Sequence, residues 1–193
     1  MSDTFQFGGP IVWQPTVDDI QGSTVYAFMQ EHRIASFAEL LERSTADVAW
    51  FTDAVLRFLD IRFAHPYSQV IDMSGGIQFP KWCVDGKMNI VESCLDRWAA
   101  DPRMHEAIAM RWEGEEGKVV SLSYGELTAE VNRCANALRE LGVGPGDVVG
   151  LFMPMIPEIA IAFFAIVRIG AIILPLFSGF GEHAVASRLQ DAS

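Results

Sequence analysis

The sequence has 193 residues, of which 50% are hydrophobic and 20% are charged, and its formal net charge is -11. This composition is typical of a globular protein that is long enough to bury one sizeable core. Acidic residues are in excess in both halves of the chain, so we expect no basic surface and no nucleic-acid partner. The opening residues MSDTFQFGGP lack the pattern of a secretion signal, which favours the cytoplasm.

The first 65 residues have the capping residues and spacing of helices. Thr16 predicts a helix over residues 17–30, Ser36 predicts another over 37–43, and Thr45 predicts a third that runs to residue 60. Apolar side chains recur at helical spacing in the third helix, a pattern that is more often core than ligand site. We therefore interpret this part of the chain as packing helices.

Residues 65–87 contain two prolines and a pair of adjacent glycines, which predict a long connecting region with one short strand at residues 69–72. Asn89 and Glu92 then form a capping pair for a helix over residues 89–100. The turn-prone sequence GEEG joins two apolar runs within residues 106–124, which predicts a β-hairpin.

A capping box of Ser123 and Glu126 begins the next predicted helix, and Gly142 is placed to end it as a left-handed glycine. Apolar residues follow at steps of four and three, which predicts one buried face. Those residues are Leu127, Val131, Cys134, Leu138 and Leu141.

The most apolar stretch, residues 151–177, has only two charged side chains, Glu158 and Arg168. A membrane helix needs about 20 consecutive apolar residues without breaks, and prolines and glycines interrupt this stretch. Together with the preceding DVVG it predicts a strand buried on both faces, a helix with Pro157 in its first turn, and a second strand. This β-α-β unit, followed by a glycine-rich turn and another helix, predicts an α/β fold with a parallel sheet and no membrane span.

Cysteines Cys83, Cys94 and Cys134 are widely spaced and form no CxxC pair, so we assign them neither a zinc site nor redox chemistry. Cys94 and Cys134 fall on the apolar faces of predicted helices, where a free thiol behaves as a small hydrophobe. No metal ligand is assigned anywhere in the chain.

The segments NIVESCLDR, SYGEL, GVGPGDVVGLFMPMIPE and LFSGF follow one another in an order that resembles the AMP-forming acyl-CoA synthetases, especially the acetyl-CoA synthetase-like branch. The resemblance covers about residues 82–191, and residues 1–81 resemble the extension that precedes this region in that branch. It implies an N-terminal extension over residues 1–98 and the beginning of the AMP-binding domain, which starts the parallel sheet, over residues 99–193.

The family resemblance implies a ligase that joins a carboxylic acid to coenzyme A (CoA) through an acyl-adenylate, with ATP and Mg²⁺. The family's Ser/Thr/Gly-rich phosphate loop and its catalytic lysine do not occur in the sequence. We therefore expect an N-terminal portion that packs against the rest of an enzyme, has no catalytic residue of its own and is inactive in isolation. The alternative is a stand-alone, non-catalytic binding or interaction module derived from this family.

The resemblance also implies a local site, because the family's turn after the second strand lies against the nucleotide end of CoA. The matching residues are Phe177, Ser178 and Gly179, with Ser178 in place of a family glycine. A small residue allows close backbone approach and an aromatic ring offers adenine a stacking face. The alternative is that Ser178 and Gly179 only turn the chain while Phe177 packs. His183 and Arg188 are expected to be solvated helix residues without a catalytic role.

Overall fold

The structure, a computed structural model, describes Gly9 and residues 11–192 and divides the chain into two units, Met1–Leu59 and Asp60–Ser193. Helices α1 (Val17–Gln21), α2 (Thr24–Glu31), α3 (Phe37–Ala46) and α4 (Val48–Phe58) form the described part of the first unit. The predicted boundary between residues 98 and 99 stays a prediction.

Capping groups explain where these helices begin. Thr16 caps α1 as predicted, through a capping box with Asp19 that was not predicted, and Ser36 caps α3 as predicted. The single helix predicted over residues 17–30 is divided in two at Gly22, because Ser23 accepts from the Tyr26 N–H at 3.1 Å and starts α2 anew. Thr45 was the wrong cap for α4.

The true cap of α4 is Asp47, whose Oδ1 accepts from the Trp50 N–H at 2.8 Å. Thr45 lies inside α3 and its hydroxyl donates to the Leu41 carbonyl at 2.8 Å. A carboxylate two residues later therefore has the role that the sequence assigned to the hydroxyl.

The core of the first unit is small and largely aromatic. Phe28 makes T-shaped contacts with Phe51 and Phe58, at ring-centroid distances of 5.9 Å and 5.3 Å. The Arg43 guanidinium lies 3.6 Å from the centroid of the Trp50 ring, a cation-π contact. The buried hydrophobic residues of this core are Phe28, Met29, Ile34, Leu40 and Ala54.

The second unit begins with an antiparallel pair of strands, β1 (Gln69–Asp72) and β2 (Lys81–Val84), in which Gln69 pairs with Val84. The predicted strand is confirmed, and the prediction missed β2. The helix predicted over residues 89–100 is present as a π-helical segment, Glu92–Asp96, followed by α5 (Arg97–Ala100). Asn89 Oδ1 accepts from the Val91 N–H at 3.1 Å and so helps to start it.

The predicted hairpin is confirmed as β3 (Ile108–Glu113) and β4 (Val119–Ser123), and α6 (Tyr124–Glu140) follows directly. Ser123 and Glu126 form the predicted capping box, with distances of 3.2 Å and 2.8 Å. Gly142 ends the helix region with a φ of +90°, as predicted. Leu141 is 80% exposed, because the helix has already ended before it, so its predicted place on the buried face was wrong.

The predicted β-α-β unit is confirmed as β5 (Val148–Phe152), α7 (Pro157–Arg168) and β6 (Ile172–Leu176), with α8 (Glu182–Asp191) after it. The two strands are parallel, and Phe152 lies opposite Leu176 in the register. Asn89 Nδ2 donates to the Val167 carbonyl at 2.9 Å, near the end of α7.

A mainly aliphatic core joins α6, α7 and one face of the β5–β6 pair. The other face is less covered, because Val148 and Phe152 are 40% and 47% exposed. The prediction of a strand buried on both faces is therefore wrong for the described part of the chain. The buried residues of this core are Val91, Leu95, Leu127, Val131, Ala135, Leu151, Ala165, Ile166, Ile169 and Ala171.

Two other predictions concern the described residues as a whole. No helix among them combines the length and the apolar character that crossing a membrane requires.

The three cysteines, all within the described chain, are partly buried and form no disulfide. Burial raises the pKa of the Cys134 thiol, which favours the unreactive protonated form.

Candidate functional site

The candidate site is the turn that leaves β6 at the carboxyl end of the parallel strands. Leu176 is buried at the end of β6, and the next residue, Phe177, is 67% exposed. The Phe180 N–H donates to the Phe177 carbonyl at 2.9 Å, which closes a four-residue turn with Ser178 and Gly179 at its centre. Carboxyl ends of parallel strands are where open α/β sheets bind ligands.

Gly179 is in close contact with the Phe177 side chain and does not have a left-handed backbone. A Cβ at Gly179 would lie 2.6 Å from Cε1 of Phe177, well inside contact distance. The Phe177 ring therefore folds over the turn, against the glycine, and also meets the Phe180 ring edge-on at a centroid distance of 5.6 Å. The turn thus presents an aromatic ring that is open to solvent on one side and is contacted by Gly179 and Phe180.

Ser178 is exposed and is not among the described non-glycine residues with a positive φ. Its backbone is therefore one that any residue with a Cβ adopts without strain. The serine is compatible with the turn even though the family resemblance places a glycine at this position.

Helix α8 begins directly after the turn and packs against the parallel strands. A Cβ at Gly150, in the middle of β5, would lie 3.0 Å from Cδ2 of Leu189, so this glycine allows α8 to approach the sheet. Gly181 caps α8 with extended backbone and no side-chain hydrogen bond, and Glu182 lies in the first turn. His183 is almost fully exposed, which agrees with its assignment as a solvated residue.

The sequence missed the contact that Arg188 makes with the turn. Its guanidinium carbon lies 4.2 Å from the centroid of the Phe180 ring, and Nη1 donates to the Ala184 carbonyl at 2.9 Å. Phe180 belongs to the turn and precedes α8, so helical spacing does not relate it to Arg188, and no sequence pattern indicated the contact.

A second concavity lies between the hairpin, α6 and the start of α7. It has a volume of about 540 Å³ and is lined by both apolar and charged side chains, among them Trp112, Lys118 and Glu158. The Trp112 Nε1–H donates to the Met155 carbonyl at 2.7 Å and fixes the hairpin to the β5–α7 loop. Pro157 and Glu158, which line it, were noted in the sequence only as features of the α7 region, and none of its residues was predicted to form a site.

Carboxylate, histidine and thiolate groups do not converge anywhere in the described part of the chain to form a cluster of three that could hold a metal ion. We therefore assign no metal site to the described residues.

Comparison with known proteins identifies the family. A model of the AMP-binding enzyme family matches residues 95–193, which is slightly more than half of the chain. The chain belongs to the AMP-binding enzyme family. A second model, for the acetyl-coenzyme A synthetase N-terminus, matches residues 37–94.

Individual relatives agree with this assignment. Acetyl-coenzyme A synthetase from Streptomyces coelicolor is 41% identical over 155 residues, which are 80% of this chain and 23% of that protein. 3-Hydroxypropionyl-coenzyme A synthetase from Sulfurisphaera tokodaii is 42% identical over 132 residues, which are 68% of this chain and 20% of that protein.

Among solved structures, acetoacetyl-CoA synthetase from Streptomyces lividans superposes with a TM-score of 0.82 at 28% identity, covering 93% of this chain and 28% of that one. The chain therefore spans about a quarter of the length of such relatives. These matches confirm the predicted resemblance to the N-terminal portion of an AMP-forming acyl-CoA synthetase, and they confirm the α/β fold expected from it.

Proposed function

We propose that the chain acts within an AMP-forming acid–thiol ligase, which converts a carboxylic acid, ATP and CoA into acyl-CoA, AMP and pyrophosphate through an acyl-adenylate. The match of residues 95–193 to the AMP-binding enzyme family supports this proposal, as do relatives that are named as CoA synthetases of short acids. A carboxylate is a poor electrophile until one of its oxygens becomes part of a good leaving group, which is what adenylation achieves.

In the first step, the negative charge of the ATP triphosphate has to be stabilised by Mg²⁺ and by cationic side chains. The described residues lack a cluster of acidic, histidine or cysteine side chains that fits a metal ion, so we derive no step through Mg²⁺ for this chain. Instead, we propose that it contributes scaffold and one contact with CoA, and that the 193-residue chain alone does not form acyl-adenylate.

The proposed CoA contact is the turn of Phe177, Ser178 and Gly179. One observation carries it: an aromatic ring that is 67% exposed lies over a glycine at the carboxyl end of a parallel strand, in a chain related to CoA synthetases. The Phe177 ring offers its exposed face for adenine, and Gly179 gives this ring the space that it occupies over the turn.

Titration of CoA into the 193-residue chain, followed by calorimetry and by the amide shifts of residues 177–180, tests the proposed contact. Because base–aromatic stacking contributes about 1–3 kcal/mol, Phe177→Ala should weaken CoA binding at least about fivefold. Ser178→Gly should leave binding within about twofold, since the serine backbone is unstrained.

Phe79→Ala is a matched control, because Phe79 is 71% exposed and also lies at one end of a hydrogen-bonded turn, which its N–H closes by donating to the Gly76 carbonyl at 3.0 Å. Equal losses for Phe79→Ala and Phe177→Ala would contradict a specific contact. Absence of CoA-dependent shifts at residues 177–180 would remove the proposed site.

Inactivity of the chain is tested separately by exchange of labelled pyrophosphate into ATP in the presence of short carboxylic acids. We expect no exchange above the rate without protein. Acid-dependent exchange by the purified chain would show that it carries adenylation chemistry of its own.

A further inference from the structure

Arg188 is the one cation of α8 that the structure places on the candidate site, among the residues it describes. Its guanidinium carbon lies 4.2 Å from the centroid of the Phe180 ring. The Nη1–H of the same group donates to the Ala184 carbonyl, one helical turn earlier, at 2.9 Å. The side chain is therefore held at both the helix and the ring, which restricts the freedom that an exposed arginine usually has.

The Phe180 ring connects Arg188 to Phe177, the residue that is proposed to contact the ligand. Phe180 meets Phe177 at an interplanar angle of 86°, the T-shaped geometry that aromatic pairs favour. The backbone couples the same two residues, because the Phe180 N–H donates to the Phe177 carbonyl at 2.9 Å. The three side chains thus form a continuous series of contacts, from Arg188 through Phe180 to Phe177. Phe177 is the more exposed of the two rings.

The helix that carries Arg188 is itself fixed to the sheet. Leu189, the next residue, approaches Gly150 so closely that a Cβ there would lie only 3.0 Å from Leu189 Cδ2. The same hypothetical Cβ would lie 3.6 Å from Leu176 Cδ1, at the end of β6. The helix that presents the Arg188 side chain to Phe180 is therefore packed against the two parallel strands.

We propose that Arg188 is a positioning residue: through Phe180 it holds the Phe177 ring in the orientation that receives the adenine end of CoA. This inference rests on the proposed function, since it needs CoA at the turn. It assigns to Arg188 a role through the ring and not a direct bond to a phosphate, so the effect should also be present with adenosine, which has no phosphate.

The first experiment needs no ligand. In the full 193-residue chain, NMR measures the exchange rate of the Phe180 amide and the NOE between the Phe177 and Phe180 rings. An exposed cation-π contact corresponds to about a two- to fivefold change in an equilibrium, so Arg188→Gln should speed amide exchange by about that factor and weaken the NOE. Arg188→Lys keeps the cation and should recover most of the wild-type values.

The control is Arg139→Gln, which changes net charge equally at an exposed residue in the last turn of α6. It should alter neither the exchange rate nor the NOE. Unchanged turn dynamics in Arg188→Gln would overturn the positioning role.

The second experiment titrates CoA and adenosine into the same variants. We expect Arg188→Gln to weaken both ligands by about two- to fivefold, Arg188→Lys to stay within about twofold of wild type, and Arg139→Gln to have no effect. Loss of CoA affinity without loss of adenosine affinity would overturn positioning in favour of a charge contact. If CoA binds and Phe177→Ala weakens it while Arg188→Gln does not, the inference alone fails. If wild type shows no CoA binding at the turn, the proposed function fails and the inference falls with it.

Discussion

Helices α2 and α6 end in the same hydrogen-bonding motif but place different residues at its left-handed position. After α2, the Arg33 N–H donates to the Gln30 carbonyl and the Ile34 N–H to the Met29 carbonyl, with Arg33 at a φ of +56°. After α6, Gly142 takes the equivalent position with a φ of +90°.

The difference shows what each unit relies on to stop a helix. A glycine adopts the left-handed conformation without steric cost, whereas an L-residue such as Arg33 pays about 1–2 kcal/mol for it. Ile34, which is 2% exposed, provides the compensating contact, because a buried side chain just after the left-handed residue anchors this motif. The second unit stops α6 through backbone preference, and the first stops α2 through tertiary packing.

The largest effect should come from the cores themselves. Ile34 and Ile166 are both 2% exposed, so the same substitution to alanine compares the two units directly. Each change should destabilise its unit by about 2–5 kcal/mol. Ile166→Ala should be near the upper end, because Ile166 has nine other buried residues in its core and Ile34 has four in its own. Native-state hydrogen exchange of core amides in each unit measures the two losses separately.

A larger loss for Ile34→Ala than for Ile166→Ala would reverse this comparison. Exposed Leu141→Ala serves as the surface control and should change stability by no more than about 0.5 kcal/mol.

The next effect concerns the left-handed position after α6. A Cβ at Gly142 would meet nothing within 4 Å, so Gly142→Arg tests the backbone conformation alone. We expect a loss of about 1–2 kcal/mol in the stability of the second unit, measured by hydrogen exchange of α6 amides. Gly117→Arg is a control of the same kind, with a φ of +77° and open space in the hairpin turn, and it should cost a similar amount. A neutral Gly142→Arg would show that α6 does not depend on this residue for its end.

The sequence predicted the helix ends that depend on local backbone conformation and local hydrogen bonds. It did not predict those that depend on tertiary packing. Gly142, the Ser123–Glu126 box and Pro157 at the start of α7 act through their own backbone and were predicted. Thr45 and Asp47 both have capping side chains, so only the packing of α3 and α4 selects between them.

The same distinction applies to the candidate site, where one feature was predicted from the sequence and another was not. Its turn follows from Gly179 and the end of an apolar strand, so it was placed from the sequence, and the structure brings Phe177, Ser178 and Gly179 into one turn. The stack of Arg188 on Phe180 depends on how α8 sits against Gly150, which no local pattern specifies. Strand β2 was missed for a similar reason, since four residues pair with β1 only in the folded chain.

A smaller effect of opposite sign is expected at the end of α2. Arg33→Gly relieves the left-handed strain while increasing the freedom of the unfolded chain, so the net gain should be about 0.5–1 kcal/mol. Thermal unfolding followed by hydrogen exchange of α2 amides measures it. Arg33→Ala keeps the strain and removes the charge, so it should show no such gain, and equal stabilisation by both variants would assign the effect to charge.

The smallest effect distinguishes the capping boxes that start α1 and α6. Thr16 donates both its N–H, at 2.8 Å, and its hydroxyl, at 2.7 Å, to Asp19 Oδ2, and these bonds lower the pKa of that carboxyl below 3.8. Because the folded pKa is depressed, the contribution of the box is present above pH 3.8 and is lost as the pH falls through the folded value. The amide shift of Thr16, followed by NMR from pH 6 down to about pH 2, should therefore titrate with a midpoint below 3.8, and Asp19→Asn should abolish the titration. A midpoint at or above 3.8 would mean that the box does not form in solution, in which case α1 would lack the local start that α6 has.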